Sequence, residues 1–568
     1  MLLFAKKKEG FIQMKNNFVI LDLVHFDMRK LLLFVLLVVT ASSFAQEDAW
    51  VYFADKPNAD NYLANPLQML SQRSLDRRIA QDIPLDMKDV PIGQSYVDQI
   101  AAVSGISVKA KSKWLNAVHI RGSVEDITAL TTFSFVSQIV FADHSLNAAL
   151  AGRAAKHSEV RAVNKMLDTQ VSFAYGNSQN QIEMLKGNLL HQQGYTGSGK
   201  IIAVLDAGFP GVDTAQPFQR LWTNGQILGG HNFVSDNDNI FSATSHGTMV
   251  LSTMGGYVED QLVGTAPDAS YYLFITEDSG SENPVEESYW VEAAETADSL
   301  GVDVINTSLG YFIYDNPNYS YTYPDMNGST SFISKGADIA FSRGMIVVVS
   351  AGNSGASESN PHIGSPADAV NVLTVGAVSA AEGYAPFSSI GPSADSRVKP
   401  DVMAQGVAAV VSSPEGQIQT VNGTSFSGPI TAGLVASLWQ ALPDLTNSEL
   451  VDYIKKSADL YNNPNDHYGY GIPDFSLALT DAMAVPTFDK TQFILYPNPA
   501  VDQISIDFPD EIATAEITLS TIIGQLVLSQ TVTGNSPAVT LGKLEPGIYI
   551  YKIQSGSYTN TGKLIKKK

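Results

Sequence analysis

The sequence predicts an α/β domain, a parallel β-sheet with helices on both faces, as the largest of three folded parts. Between about residues 179 and 483, continuous apolar runs rich in Val and Ile alternate with helical stretches such as "ESYWVEAAETADSL". Such runs are typical of strands buried on both faces, and their alternation with helices predicts the layered sheet. Five runs fit the pattern: "KIIAVLDAG", "SYYLFITE", "VDVINTSLG", "MIVVVSAGN" and "VNVLTVGAVS".

A smaller α+β module is predicted over residues 46–145. "AWVYFAD" and "VSQIVFA" alternate like strands, and "GISVKAKSKWLNAVHIRG" holds two more strand-like pieces around a break. "LSQRSLDRRIAQ" has the pattern of an amphipathic helix, and "SVEDITALTTF" opens with the S-x-x-D form of a capping box. The order β-α-β-β-α-β is that of a ferredoxin-like module. We expect Arg73, Arg77 and Arg78 to form a solvated face of the first helix.

Two further segments differ in character from these modules. Residues 484–568 contain short alternating strands separated by Gly and Pro turns, which predict a small all-β sandwich. Residues 146–178 are first Ala-rich and then polar, as expected of an exposed connector that a protease can cut.

The N-terminal residues 1–45 are predicted to be a secretory signal peptide, with the true start at Met28. "MRKLLLFVLLVVTASSFAQ" has a basic start, an apolar run and a small-x-small end at Ser43-Phe44-Ala45, so the cut is expected after Ala45. The apolar run is about half of the roughly 20 residues that a membrane-spanning helix needs. A membrane anchor is the alternative, and the sequence disfavours it.

Composition excludes several classes of function. The 568 residues include 35 Lys and Arg against 57 Asp and Glu, a formal charge of -22, which argues against a nucleic-acid partner. The chain has no cysteine, so disulfides, cysteine-ligated zinc and a cysteine nucleophile are excluded.

Three separate stretches supply the side chains for one kind of chemistry. Asp206 ends the first apolar run, so the sheet carries it to the carboxyl edge, where α/β sheets bind ligands. His246 stands near the start of a predicted helix, and Ser425 precedes another helix within "NGTSFSGP". A serine needs a base to become a nucleophile, and a carboxylate fixes the tautomer of a histidine base. Asn353 in "SAGNSG" offers a donor for an anion hole, together with the Ser425 backbone N–H.

These motifs resemble those of the subtilisin-like serine proteases, the subtilases of peptidase family S8. The order Asp, His, Ser matches that family, as do "HGT", "GTSFSGP" and "SAGNSG". Further matches are "GTAPDASYYLF", "INTSLG" and "VKPDVMAQG". The resemblance covers the whole α/β region, residues 179–483, and implies a subtilisin-like parallel sheet there.

The resemblance also implies a role for each residue. Asp206 orients His246, His246 acts as the base, Ser425 is the nucleophile and Asn353 donates to the oxyanion. The implied function is a secreted serine endopeptidase that cleaves protein or peptide substrates through an acyl-enzyme. No cofactor is needed for this chemistry; structural calcium is common in the family, but the sequence assigns no metal ligands. The residues implied to bind substrate are Ser308, Leu309, Gly310, Ser350, Ala351 and Gly352.

The flanking modules resemble further known parts. Residues 46–145 resemble the subtilase prosegment, which aids folding and inhibits the enzyme, so we expect an autoinhibited precursor that is cut between residues 145 and 180. Residues 484–568 resemble the sorting domain read by the type IX secretion machinery of Bacteroidota, through "LYPNPAVDQISI", "LEPGIYIYKI" and "GKLIKK". The expected location is outside the cell or on its surface, after export across both membranes of a Gram-negative bacterium and without a stable membrane span.

One residue departs from the family pattern. Most subtilases have Thr or Ser after the catalytic Asp, and this chain has Ala207. One hydroxyl donor near the carboxylate is therefore missing, while the histidine and the backbone amides remain. We expect the change to be tolerated.

Other acidic and histidine residues give weaker patterns. Asp401 is expected to end a strand for structural reasons, and His231 and His362 are expected at the surface. Asp236 and Asp238 lie in "VSDNDNIF", which lacks the Gly and the closing Glu of a calcium loop. The chain has no H-E-x-x-H motif, which disfavours a zinc protease.

Two alternative functions remain open. A non-catalytic surface protein could reuse the fold for binding, although the complete Asp-His-Ser set argues against it. An esterase or lipase is disfavoured because the G-x-S-x-G elbow and the order Ser, Asp, His are missing. "SAGN" and "TSLG" supply small walls, which predict a pocket for a large apolar side chain.

Overall fold

The computed structural model of the chain describes residues 46–147, 173–484, 493–508, 512–534, 537–556 and 558–567. The chain forms two compact units, the first ending at Phe475 and the second beginning at Ser476. The predicted signal peptide and residues 148–172 of the predicted connector lie outside the described residues. Within those ranges, no helix combines the length and the apolar character needed to cross a membrane.

The N-terminal module, residues 46–147, is built on a four-stranded antiparallel sheet. The strand order is β2-β3-β1-β4, which is the predicted ferredoxin-like arrangement. The Ser123 side chain caps α4 by accepting a hydrogen bond from the Asp126 N–H. The elements are β1 (Glu47–Phe53), α1 (Ala59–Ala64), α2 (Gln72–Ala80), α3 (Gln94–Ala101), β2 (Ser107–Ser112), β3 (Ala117–Gly122), α4 (Val124–Ala129) and β4 (Val136–Phe141).

Helix α3, which the sequence patterns did not predict, completes the core of this module. Its Val97 and Ile100 are buried with Ile127 of α4 against the sheet. The predicted amphipathic helix forms as α2, but it contributes none of the buried residues of that core. The two helices of the ferredoxin-like arrangement are therefore α3 and α4, and α2 is free to contact another part of the chain.

The α/β region contains a seven-stranded sheet in the order β13-β12-β11-β10-β5-β9-β6, and every pairing in it is parallel. The five predicted runs form the five inner strands, and the edge strands β6 and β13 were not predicted. The strands of this region are β5 (Ile201–Asp206), β6 (Ile227–Asn232), β7 (Tyr257–Val258), β8 (Leu262–Val263), β9 (Ser270–Ile275), β10 (Val304–Thr307), β11 (Ile346–Ser350), β12 (Leu373–Val378), β13 (Val402–Gln405), β14 (Ala409–Ser412) and β15 (Ile418–Val421).

Helices cover both faces of this sheet. Ala203 and Leu205 of β5 share one buried cluster with Trp290, while Ile202 and Val204, which point to the opposite face, are also fully buried. The helices of this region are α5 (Gln179–Glu183), α6 (Gly187–Gln192), α7 (Gln219–Thr223), α8 (His246–Gly255), α9 (Val285–Leu300), α10 (Phe332–Ser342), α11 (Thr424–Ala441) and α12 (Asn447–Lys456). The next helix along the chain, α13 (Phe475–Met483), begins at the last residue of the first unit.

The sheet of the N-terminal module docks on α9 and α10. The Trp50 ring stacks on Phe332 with centroids 5.2 Å apart, and its Nε1 donates to the Ser288 hydroxyl at 2.8 Å. The Ser112 hydroxyl donates to Glu295 at 2.6 Å. Both polar contacts are buried, so the interface combines apolar stacking with satisfied hydrogen bonds.

The arginines of α2 form a second attachment, in a segment that we call the arm (residues 66–90). Arg77 and Arg78 are 7% and 2% exposed, and both pair with Asp298 of α9, at 2.5 and 2.8 Å. Arg78 also pairs with Asp89 at 2.8 Å. The prediction of a solvated face was therefore wrong for Arg77 and Arg78. Helical periodicity marks the face but cannot identify a partner some 220 residues away.

The C-terminal module is a pair of antiparallel sheets, as the strand spacing predicted. Their orders are β16-β17-β20 and β19-β18-β21-β22. Alternate residues of facing strands, such as Ile504 and Ile517, fill a common core. The strands are β16 (Ile494–Tyr496), β17 (Gln503–Asp507), β18 (Thr514–Thr521), β19 (Leu526–Thr533), β20 (Ala538–Thr540), β21 (Gly547–Ser555) and β22 (Tyr558–Lys566).

Candidate active site

An acid and a histidine meet at the carboxyl edge of the parallel sheet. Asp206 is the last residue of β5, and His246 is the first residue of α8. His246 Nδ1 lies 2.8 Å from Asp206 Oδ1. A carboxylate oxygen accepts, so Nδ1 carries the proton and Nε2 of the neutral ring is left as the acceptor. The negative charge of Asp206 raises the pKa of His246 above its ordinary value, against the opposing effect of burial.

The two oxygens of the Asp206 carboxylate differ in their contacts. Oδ1 accepts from both His246 and the Ala207 N–H, the latter at 2.7 Å. Oδ2 is buried and has no hydrogen-bond partner among the described residues. Ala207 contributes only its backbone N–H, as its methyl side chain has no donor. The acid is thus oriented through a single oxygen.

Ser425 lies at the start of the long helix α11, as its second residue. Its Oγ donates to the Ser308 carbonyl at 3.4 Å, and the Ser308 hydroxyl donates to the Ser425 carbonyl at 3.0 Å. No hydrogen bond joins Ser425 to His246 in this structure. Hydrogen bonds of a base to its nucleophile are often long or misaligned until substrate binds. Gly423, which precedes the helix, has φ 153°, a conformation that favours glycine.

Thr424 anchors Asn353 beside the serine. The sequence patterns did not point to Thr424. The Thr424 N–H and hydroxyl both donate to Asn353 Oδ1, at 3.0 and 3.1 Å. Because both groups donate, the side-chain atom that they contact is the amide oxygen. The amide nitrogen, Nδ2, therefore remains available as a donor. The Ser425 N–H, in the first turn of α11, has no partner within the helix. Two donors are therefore available beside the serine hydroxyl.

Glu277 is a third ionisable group near Asp206 and His246, and no sequence motif pointed to it. It follows Thr276, whose N–H donates to the Asp206 carbonyl at 3.1 Å. The Tyr311 hydroxyl donates to Glu277 Oε1 at 2.5 Å. Burial raises the pKa of Glu277 to about 8, and the charges of Glu282 and Asp206 add to the effect.

A cavity of about 180 Å³ opens beside Ser425. Its walls come in part from the segments that follow β10 and end β11, and they include Tyr311 and Ser365, which are joined by a 2.7 Å hydrogen bond from the Tyr311 N–H to the Ser365 carbonyl. His362, predicted at the surface, is half-buried and lines this cavity. The six residues expected to bind substrate all line it: Ser308, Leu309, Gly310, Ser350, Ala351 and Gly352.

The remaining candidates have other surroundings. His231 contacts two exposed acids, Asp236 at 3.3 Å and Asp238 at 2.9 Å. Asp401 was wrongly predicted to end a strand, since it immediately precedes β13; it is buried and pairs with Lys399 at 2.7 Å, which fits a structural role. Within the described part of the chain, no group of three or more His, Asp or Glu side chains is placed to hold a metal ion.

Three regions of the chain match known protein families. Residues 197–471 match the model of the subtilase family, peptidase S8. Residues 48–161 match the peptidase S8 propeptide domain of Bacteroidota, and residues 494–567 match a secretion system C-terminal sorting domain. The first match spans β5 to β15 and includes every residue of the site described above.

Curated subtilisins are similar to the chain over about half its length. Subtilisin NAT of Bacillus subtilis subsp. natto is 33% identical over 293 residues, which cover 51% of this chain and 68% of that protein. Subtilisin of Bacillus pumilus is 33% identical over 293 residues, 51% of this chain and 94% of that protein. Subtilisin DY of Bacillus licheniformis is 31% identical over 292 residues, 51% of this chain and 93% of that protein.

Proposed function

Since the chain belongs to the subtilase family of serine peptidases, we propose that it is an endopeptidase with Ser425 as nucleophile, His246 as base and Asp206 as orienting carboxylate. The observation that carries the proposal is the hydrogen bond of His246 Nδ1 to the buried Asp206, with Ser425 and Asn353 at the same sheet edge. The order and surroundings of these residues support their assignment as a triad.

Each side chain has a task that its contacts allow. Ser425 Oγ attacks the peptide carbonyl carbon while His246 Nε2 takes the hydroxyl proton. Asn353 Nδ2 and the Ser425 N–H donate to the oxyanion that forms. His246 then passes the proton to the leaving amine, and water hydrolyses the acyl-enzyme by the reverse sequence. Asp206 keeps the proton on Nδ1 and stabilises the imidazolium, so the chemistry uses protein groups alone.

Substrate is proposed to bind along Ser308–Gly310. This segment follows a buried parallel strand and lies beside Ser425, to which Ser308 is bonded in both directions. A substrate strand there would place its scissile carbonyl near the serine and its side chain near the adjacent cavity. Structural calcium is left without proposed ligands.

The N-terminal module is proposed to be an inhibitory prosegment, which makes the chain an autoinhibited precursor. Its sheet and its arm bind α9 through separate buried contacts, Trp50 to Ser288 and Arg78 to Asp298. Two such attachments would hold the module on the enzyme even after the connector is cut.

We place the maturation cut between residues 145 and 180, mostly outside the described residues. We retain 46–145, 179–483 and 484–568 as the proposed domain limits.

The C-terminal module places the protein outside the cytoplasm. It belongs to the secretion system sorting domains, which direct export by type IX secretion to the cell surface or the medium. Proteins and peptides met there are the proposed substrates. N-terminal sequencing of the active form tests the maturation site, and a start before residue 140 would contradict our placement.

Labelling with a fluorophosphonate, followed by mapping of the modified residue, tests the nucleophile. We expect Ser425 to be labelled in the matured protein and Ser425→Ala to be neither labelled nor active on casein. Ser427→Ala is the matched control, since its buried hydroxyl donates within α11 to the Thr424 carbonyl. Full casein hydrolysis by Ser425→Ala would refute the protease, and turnover of esters without peptides would favour the esterase alternative.

A further inference from the structure

The cavity beside Ser425 contains no charged side chain that could select a charged substrate residue. Among the described residues that line it, Asp, Glu, Lys and Arg are all absent. A Lys or Arg side chain would find no carboxylate there, and an Asp or Glu side chain would find no fixed cation. The lining is mixed, because Asn and His side chains line the cavity together with apolar ones such as Leu309 and Phe312.

Two of those polar side chains, Asn360 and His362, lack partners that would use up their hydrogen-bonding groups. His362 Nδ1 lies 3.0 Å from the Gly391 carbonyl, and the ring stacks on Tyr323 with centroids 4.2 Å apart. A carbonyl only accepts, so Nδ1 carries the proton and Nε2 of the neutral ring is an acceptor. No described residue bonds to Nε2 or to the Asn360 side-chain amide, and both residues are half-buried.

The imidazole is held in one orientation before any substrate arrives. The bond to Gly391 fixes the tautomer, and the Tyr323 ring restricts rotation, its own hydroxyl being tied to the Pro392 carbonyl at 2.9 Å. A preorganised acceptor of this kind discriminates well, because a ligand that cannot donate to it covers it and leaves it unpaired. The Asn360 amide adds one donor group and one acceptor group.

From this arrangement we infer that His362 and Asn360 select an uncharged amide side chain, glutamine first, at the substrate position whose carbonyl is cleaved. The amide NH₂ donates to His362 Nε2, and the amide oxygen accepts from Asn360 Nδ2. Methionine has a similar length and lacks both groups, so it covers the two polar side chains without bonding to them. The inference rests on the proposed function and names its substrate class.

Peptides that differ only at the residue before the scissile bond test the inference. With the matured enzyme at pH 8, we expect kcat/KM for Gln to exceed that for Met, Leu, Glu and Lys by about 10-fold or more. In His362→Ala and Asn360→Ala, kcat/KM for Gln should fall about 10-fold while that for Met is unchanged or rises. His467→Ala, which removes an exposed histidine outside the cavity, should leave the profile as it is.

The outcomes separate this inference from the protease itself. A preference for Met, Leu, Glu or Lys over Gln, or equal losses on all peptides in the two variants, would overturn the inference. If Ser425 is labelled by fluorophosphonate and the Leu peptide is the best substrate, the protease stands and the selectivity fails. If Ser425 is not labelled and no peptide is cleaved, the proposed function fails first. If His362→Ala does not fold, the substrate preference of the wild-type enzyme and of Asn360→Ala still tests the inference.

Discussion

Tyr311 donates its hydroxyl hydrogen bond to Glu277 at 2.5 Å, and the pair connects the wall of the substrate cavity with the surroundings of Asp206 and His246. Glu277 is reached from Asp206 through the adjacent strand, since the Thr276 N–H bonds to the Asp206 carbonyl. When Glu277 is ionised, its charge raises the pKa of His246 further, although less than Asp206 does. A residue with no sequence motif is thus electrostatically part of the site.

Glu277→Gln is expected to raise stability at alkaline pH more than at acid pH. The pKa of Glu277 is about 8 in the folded chain against an ordinary 4.5, so the folded state keeps a proton that the unfolded state has lost. Stability therefore falls as pH rises from about 4.5 to about 8, and the substitution removes that loss. Tm at pH 5 and pH 9, in a Ser425→Ala background that prevents autolysis, measures the difference. An equal change at both pH values would contradict the assignment.

Asn353→Asp is expected to lower kcat by about 10²–10³ with a smaller change in KM. The substitution keeps an oxygen to accept from the Thr424 N–H, removes the Nδ2 donor and adds a negative charge where the oxyanion forms. Asn353→Ala loses the anchor as well and serves as the comparison. Steady-state kinetics and Tm separate the effects: loss of activity in Asn353→Asp with an unchanged Tm indicates the oxyanion role. Wild-type kcat in Asn353→Asp would exclude it.

Ala207→Ser is expected to change kcat/KM only modestly, within about threefold, far below the effect of losing an oxyanion donor. The added hydroxyl would offer a donor near Asp206 Oδ2, which is buried without a partner among the described residues. Oδ1, which orients His246, keeps both of its bonds. The pH profile of kcat/KM checks this, with Ala207→Val as a control that adds bulk without a hydroxyl. A 100-fold change in Ala207→Ser would show that Oδ2 matters more than its contacts suggest.

Arg78→Met is expected to destabilise the precursor by about 3–5 kcal/mol, because it leaves Asp298 and Asp89 buried with fewer counter-charges. Arg73→Met should cost about 1 kcal/mol or less, since Arg73 is 39% exposed where it meets Asp303. Urea unfolding of Ser425→Ala precursors measures both. The matured enzyme no longer contains either arginine under our proposal. Equal effects of the two substitutions would argue against the arm as a buried anchor.

The sequence patterns predicted elements correctly where the signal lies within a few consecutive residues. The five buried runs became the five inner strands of the sheet, and the capping pattern at Ser123 became the start of a helix. The edge strands β6 and β13 escaped because they are less regular: β6 has two glycines and a register shift, and β13 is four residues long. Helix α3 begins after Gly93, which has no side chain to cap it, so no capping motif marked its start as Ser123 marked that of α4.

Partners distant in the sequence could not be predicted from local patterns. Neither Arg78 nor Asp298 carries a local sign of the other, and His362 gave no sign that it would line a cavity beside Ser425. The Asp206, His246 and Ser425 positions could be predicted, because Asp206 ends a buried apolar run and the other two lie at helix starts beside small residues. Thr424 adjoins Ser425, but its bond to Asn353 depends on how two segments 71 residues apart come together.

The burial of Arg77 and Arg78 determines when the arm can be destroyed. A pair of adjacent basic residues is a common target for trypsin-like peptidases, which need an exposed, extended backbone. While docked, this pair is helical and covered, so it offers a peptidase neither an exposed side chain nor an extended backbone. If the arm is displaced during the proposed maturation, the same dipeptide is expected to become easy to cut, and a severed arm would not rebind as a unit. Under the proposed maturation, dissociation followed by cleavage would therefore be a one-way step.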